Sequence, residues 1–191
     1  MSATTVEPEA KQLKETIPLW LAIGTTVLVS VPFSLWLGEW NFTVWVSFIV
    51  WAEYFTLGAK PSVIKTIMPS FAYSAIITGL ILAAIPYLDF LPSLVTEGDL
   101  AVMLALFVGM SAVVYSMKWF PVLQEGSLPF FNGISMVLAV YFTGSFPQVV
   151  TGGAAPIWAA VWAVAMGAFG VLLALFNIWF TFPREVKGEV K

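Results

Sequence analysis

A single acidic residue, Glu53, lies inside a long apolar stretch of the sequence. A charge at bilayer depth costs about 2.5–3.5 kcal/mol, so such an acid usually faces a bundle interior or a water-filled path. Three chemical roles fit this position: a pore gate, a contact for a cation or an amine, and a proton-coupling site. The structural alternative is a hydrogen bond to a neighbouring helix, or a position that reaches Lys60 or Lys65.

Aromatic and hydroxyl residues surround this acid and recur 87 residues later, where AVYFT at 139–143 resembles AEYFT at 52–56. If the two clusters meet near the membrane midplane, their rings and hydroxyls form a narrow filter for a small neutral solute. The alternative is that the rings only pack. Asn132 either lines a vestibule or caps its helix. The candidate pore or substrate-binding residues are Glu53, Tyr54, Phe55, Thr56, Asn132, Tyr141, Phe142 and Thr143.

Other kinds of chemistry find little support in the residue types. The chain has no cysteine and no histidine, which removes disulfides, thiolate metal sites and the usual general base. There is no phosphate-binding loop and no G-x-S-x-G motif. We therefore expect no enzymatic activity, no cofactor and no metal. The eight basic residues are scattered, so we expect no nucleic-acid partner.

The composition indicates that lipid is the solvent. Of the 191 residues, 60% are hydrophobic and only 10% are charged, with a mean hydropathy of +0.92. Soluble domains have roughly 25% charged residues. So few charges cannot cover the surface of a water-soluble protein of this size.

Six apolar segments predict an all-α membrane protein with six transmembrane helices, since a spanning helix needs about 20 apolar residues. The segments are residues 17–36, 42–59, 67–88, 100–120, 129–146 and 157–182. The second and fifth are short for a full crossing. Tryptophan and tyrosine near the segment ends fit an interfacial belt: Trp20, Trp36, Trp40, Tyr87, Trp119, Trp158 and Trp179.

The distribution of basic residues predicts the orientation of these segments. With six crossings, all eight lysine and arginine residues fall on one side, which the positive-inside rule assigns to the cytosol. The opposite loops hold acids and no bases. Five or seven crossings would spoil this separation. The prediction is therefore N-in and C-in, with cytosolic tails at 1–16 and 183–191 around a transmembrane domain at 17–182.

The same 87-residue offset that relates the two aromatic clusters predicts an internal repeat. It maps the first segment onto the fourth, the second onto the fifth and the third onto the sixth. Each half, about 17–96 and 100–182, then has three segments. An odd number forces the halves into opposite orientations, which predicts a 3+3 inverted repeat.

Two motifs resemble a known family. The run WVSFIVWAEYF at 45–55, with Gly58 and Lys65 after it, resembles the prokaryotic inner-membrane family named domain of unknown function 1097. The run LPFFNG at 128–133, leading to Tyr141 and Phe142, is also similar to that family. The resemblance covers most of the chain beyond the first segment. It implies a small multi-span protein of the prokaryotic cytoplasmic membrane and brings no established activity.

These observations predict a channel or facilitator for a small polar or neutral solute, with the pore between the inverted halves. A proton-coupled transporter is the near alternative. A non-transporting subunit of a larger membrane complex is the alternative from a different class. Small residues at every fourth position in the third and sixth segments permit close helix contacts, inside one protomer or between protomers. By analogy with small inverted-repeat proteins, we expect a homo-oligomer.

Overall fold

The computed structural model describes residues 13–148 and 152–185 and is helical apart from one two-residue antiparallel pair. That pair joins β1 (Leu13–Lys14) to β2 (Arg184–Glu185). The helices of this part are α1 (Leu19–Trp36), α2 (Val44–Thr56), α3 (Ile64–Ala84), α4 (Asp99–Ser116), α5 (Pro121–Glu125), α6 (Ser127–Phe142) and α7 (Ala155–Phe180). Most of the predicted tails, including Lys11, Lys187 and Lys191, lies outside the described residues.

Four of these helices are long and apolar enough to span a membrane. With their adjoining 3-10 turns they cover Leu19–Trp36, Pro61–Leu88, Asp99–Trp119 and Gly152–Phe180, and they fall on four of the six predicted segments. This confirms the predicted helical membrane class. The helices α2 and α6 have 13 and 16 residues. At 1.5 Å per residue they are about 20 and 24 Å long, against a hydrocarbon core of about 30 Å.

The long helices expose apolar side chains over most of their outer surface, as expected where lipid is the solvent. The seven aromatic residues predicted for an interfacial belt are all exposed. Their exposed fractions range from 43% for Trp158 to 83% for Tyr87. The prediction from sequence therefore identified side chains that do point outward.

The two longest helices, α3 and α7, form the centre of the bundle. They cross closely because small residues face each other, and a Cβ added at Gly79 would lie 2.7 Å from Ala160 Cβ. Ala75, Ala163 and Gly167 are also buried inside the chain. The small-residue pattern thus packs helices within one protomer. It no longer supports the predicted homo-oligomer, which stays a prediction.

The short helices pack on opposite members of this central pair, α2 mainly on α7 and α6 mainly on α3. On α3, Ser70 lies beside Gly126 and Ser74 beside Gly133, so α6 runs in the same direction as α3. On the other side, Ser47 Oγ donates to the carbonyl of Met166 at 2.7 Å.

The short helices α2 and α6 are antiparallel to each other. Asn41 lies just before α2, and its side-chain amide donates to the carbonyls of Gly144 and Phe146 at 3.3 and 3.0 Å. These two residues lie just after α6. At the other end, Glu53 near the end of α2 meets Asn132 near the start of α6. The pair is therefore held by hydrogen bonds at both ends.

Both short helices end in the same way. Gly58 and Gly144 follow them with positive φ values of 102° and 65°, conformations that favour glycine. The next amide then bonds back to a carbonyl five residues earlier, Ala59 to Tyr54 and Ser145 to Val140, both at 2.9 Å. This is the Schellman cap. Gly144 lies 86 residues after Gly58, so the spacing of the two glycines differs by one residue from the offset of 87.

The start of α1 and the end of α7 lie at the same face of the bundle. The amides of Thr16 and Ile17 both donate to the carbonyl of Thr181, at 3.0 and 3.2 Å. The Thr16 hydroxyl donates to the carbonyl of Phe182 at 2.8 Å. The chain therefore enters α1 and leaves α7 at the same face of the bundle.

Replacement of Gly170 by alanine should destabilise the fold, because the added Cβ would collide with the backbone carbonyl of Ser47 on α2. Overpacking of this kind costs about 1–3 kcal/mol. Thermal unfolding in detergent measures the effect. The matched control is Gly24→Ala on the exposed face of α1, where an added Cβ has no neighbour within 4 Å. Equal unfolding temperatures for the two variants would contradict this packing.

Candidate functional site

Glu53 is the one charged side chain among the described residues that is buried, with 2% of its surface exposed. It lies in the last turn of α2, beside the apolar face formed by Val46, Val50 and Tyr54, which packs into the bundle. Because this face is buried, the carboxyl beside it is buried as well. A carboxylate at a helix C-terminus also faces the negative end of the helix dipole. An uncompensated charge here is therefore doubly unfavourable.

Asn132 in the second turn of α6 is the hydrogen-bond partner of this carboxyl, at 2.6 Å from Oε1. The antiparallel arrangement of α2 and α6 brings the two residues together although they are 79 positions apart in sequence. Asn132 is only half-buried. The amide thus lies between the buried carboxyl and the surface of the protein.

The second carboxyl oxygen, Oε2, is buried and has no hydrogen-bond partner within the described part of the chain. Two other buried atoms there share this condition, Trp51 Nε1 and Asn177 Oδ1. Of the three, only Glu53 can carry a charge. An unpaired buried polar atom costs about 1–3 kcal/mol, and more for a charged group. The carboxyl is therefore incomplete without a proton, a cation or another ligand.

An asparagine partner suits both protonation states of this carboxyl. An ionised glutamate accepts from the amide N–H, and a protonated one donates its O–H to the amide oxygen after a half-turn of the amide. The Glu53–Asn132 bond can therefore persist while a proton comes and goes.

Lys60 and Lys65, considered as partners of Glu53 from the sequence, are both exposed. Within the described residues the glutamate bonds instead to Asn132. A hydrogen bond to a neighbouring helix was one of the sequence interpretations, and the structure contains it.

The two aromatic clusters are not brought together. Tyr54 is buried, Phe55 is half-buried and the Thr56 hydroxyl bonds back to Ala52 at 3.0 Å. These residues share the end of the bundle at which α6 begins. The second cluster lies at the opposite end of the α2–α6 pair, since eleven residues of helix, about 16 Å, separate Asn132 from Thr143.

The second cluster mostly faces outward. Tyr141 is half-buried and stacks on Phe146, with 6.4 Å between ring centroids. Phe142 is 61% exposed, and the Thr143 hydroxyl bonds to the carbonyl of Ala139 in its own helix. The geometry therefore gives no support to a shared filter at the midplane. It concentrates the candidate site on Glu53 and Asn132.

A second buried polar contact was not among the sequence predictions. Asn177 of α7 is fully buried, and its amide nitrogen donates to Thr26 Oγ1 of α1 at 3.0 Å. The Thr26 hydroxyl in turn donates to the carbonyl of Ala22 at 2.8 Å. The available signal was that Asn177 is the one amide side chain in the 26 residues of α7. This contact joins α1 to α7.

Two surface grooves lie away from Glu53. One of about 350 Å³ runs between the end of α3 and Gly153, and one of about 420 Å³ lies between α3 and α4, with an almost wholly apolar lining. No group of three or more acidic residues in the described ranges could hold a metal ion. The chemistry of the site is therefore that of the Glu53–Asn132 pair.

Comparison of the chain with protein-family models, with curated proteins and with solved structures finds no match. The family resemblance drawn from the aromatic motifs stays a prediction.

If the pair is energetically coupled, Asn132→Leu should lower stability by about 1–3 kcal/mol, because it leaves both carboxyl oxygens without a partner. The same change in a Glu53→Met background should cost much less. Denaturation of the four proteins in one detergent gives the coupling energy. Ser135→Ala is the control, since this exposed hydroxyl bonds only to its own helix. Equal effects of Asn132→Leu in both backgrounds would show that the two side chains do not interact.

Proposed function

We propose that this protein moves a small polar solute across the prokaryotic cytoplasmic membrane, along a path between its two halves that is closed at the Glu53–Asn132 pair. The observation behind the proposal is the buried carboxyl with one partner and one unpartnered oxygen. The pair joins α2 of one half to α6 of the other, so it lies where the halves meet.

The buried hydroxyls of the central bundle behave differently. Ser47, Ser70 and Thr78 each donate to a backbone carbonyl at 2.7–2.9 Å. These bonds satisfy the hydroxyls and serve helix packing. An apolar side chain at position 53 would pack the same contact without burying a carboxyl. Intramembrane acids usually mark ion or proton pathways, and Glu53 fits that pattern.

Between an open channel and a proton-coupled transporter, the geometry favours the transporter. Glu53 is 2% exposed, so the path is shut at this point. Asn132 can hold the carboxyl in either protonation state. Gain or loss of a proton would then change the charge of the contact that joins the halves and bias the bundle toward opening on one side. An open channel or facilitator is the other form of the same proposal.

The packing supports the six-crossing inverted repeat. Each short helix packs on the long helix of the opposite half, and both short helices end in the same glycine cap. The two short helices are antiparallel, as inverted halves require. The start of α1 and the end of α7 lie at one face, which requires an even number of crossings. Packing against α3 and α7 would shield the ends of the short helices from lipid.

Single cysteines test the topology directly, because the chain has none of its own. Cysteine should replace Trp40, Lys60, Asp89, Lys118 and Gln148 in turn, all of them exposed. With six crossings, a membrane-impermeant maleimide reaches positions 60 and 118 from one side and positions 40, 89 and 148 from the other. If α2 and α6 do not cross, positions 40 and 60 react from the same side. That result would overturn the six-crossing topology.

Purified protein in liposomes should take up a small polar solute, and uptake should rise when a pH gradient is imposed. Glu53→Gln keeps a hydrogen bond to Asn132 but cannot change its charge, so it should abolish the effect of the gradient. Glu125→Gln, an exposed acid at the end of α5, is the control and should leave uptake unchanged.

Panels of small amides, alcohols, acids and amines should be assayed for this uptake. Uptake that is insensitive to both the gradient and Glu53→Gln would favour a simple facilitator. Absence of flux for every probe, together with a stable partner protein on purification, would favour a non-transporting subunit and would reject the proposal.

A further inference from the structure

The oxygen that lacks a hydrogen-bond partner among the described residues, Glu53 Oε2, is an acceptor. When Glu53 is ionised, Asn132 Nδ2 donates a hydrogen bond to Oε1. The other oxygen, Oε2, is buried and has no partner in the described part of the chain. The amide oxygen of Asn132 is a second acceptor attached to the same contact. A ligand that completes this arrangement has to bring hydrogen-bond donors and positive charge.

The protein itself does not supply that charge in the described residues. The titratable side chains on the elements packed against α2 are Lys65 and Tyr73 of α3 and Tyr141 of α6, and α1 and α7 carry none. Lys65 is exposed, Tyr73 donates to Ser116 at 2.8 Å, and Tyr141 stacks on Phe146. Within α2 the neighbour is Tyr54. None of these groups forms an ion pair with Glu53.

The donor set argues against a hard metal cation as the ligand. Calcium takes six to eight oxygen ligands and magnesium demands an octahedral shell, whereas this site offers one carboxylate and one amide oxygen. An ammonium group carries its own N–H donors and needs only a few acceptors. A short alkyl group attached to it is compatible with α2, whose other buried side chains are mainly apolar.

We propose that the solute is ammonium or a small primary alkylammonium, bound at Glu53 Oε2 in exchange for a proton. This inference rests on the proposed transport function. When the proton leaves the carboxyl for water on one side of the membrane, the carboxylate binds the R–NH₃⁺ cation. When the cation leaves, the carboxylate takes a proton again and is neutral. One O–H bond breaks and re-forms, the R–NH₃⁺ group keeps all its protons, and the site never holds an uncompensated charge.

Counterflow with methylammonium tests the inference. Proteoliposomes loaded with unlabelled methylammonium are diluted into radiolabelled methylammonium, and protein-free liposomes measure passage of the neutral base through lipid. We expect saturable labelled uptake several-fold above the protein-free level. Glu53→Gln should abolish the excess, Glu53→Asp should keep part of it, and Glu125→Gln should keep all of it. Size-exclusion profiles confirm that each variant is folded.

Acetamide and urea in the same assay separate this inference from the proposed function. Saturable uptake of these neutral probes that depends on Glu53, without methylammonium uptake, would overturn the cationic substrate and leave transport standing. Methylammonium uptake that Glu53→Gln leaves unchanged would overturn the assigned site. Absence of uptake for every probe would overturn both proposals.

Discussion

A carboxyl group withdrawn from water needs a partner, and the arrangement of this bundle follows from how Glu53 finds one. Asn132 reaches it only because α2 and α6 are antiparallel and meet at this end of the pair. The bond at this end and the Asn41 bonds at the other end fix the register of the pair. One carboxyl oxygen is satisfied and the other has no partner in the described part of the chain, so this ionisable contact can still take up a proton or a ligand.

The long helices supply the frame that makes this possible. Gly79 and Ala160 let α3 and α7 approach closely, and Gly167 leaves room for Phe71 and Val50. Without a hydrophobic driving force between helices in lipid, such close contact and backbone hydrogen bonds provide most of the association energy. The short helices then pack on this frame, α2 mainly on α7 and α6 mainly on α3. Each short helix therefore depends on a long helix that is distant in the sequence, and Glu53 lies where the two short helices meet.

Much of the fold could be predicted from hydropathy, because lipid imposes long apolar helices and leaves few alternatives. Glu53 could be singled out because it is an acid within an apolar run. Asn132 could also be named as a candidate, but its bond to Glu53 could not be predicted, because the contact depends on which faces of two distant helices meet. The predicted cluster of Tyr54 with Tyr141 overlooked the antiparallel arrangement of α2 and α6. Both clusters end their helices, and the ends of antiparallel helices lie at opposite ends of the pair.

The central claim is that Glu53 exchanges a proton while bonded to Asn132, and infrared spectroscopy of the protein in lipid tests it most directly. We expect a carboxylic-acid carbonyl band that Glu53→Gln removes and that shifts in Asn132→Leu. A carboxylate band should replace it as the pH rises or methylammonium is added. A Glu53 band that stays in one form across the whole pH range over which the protein is folded, with and without methylammonium, would contradict it.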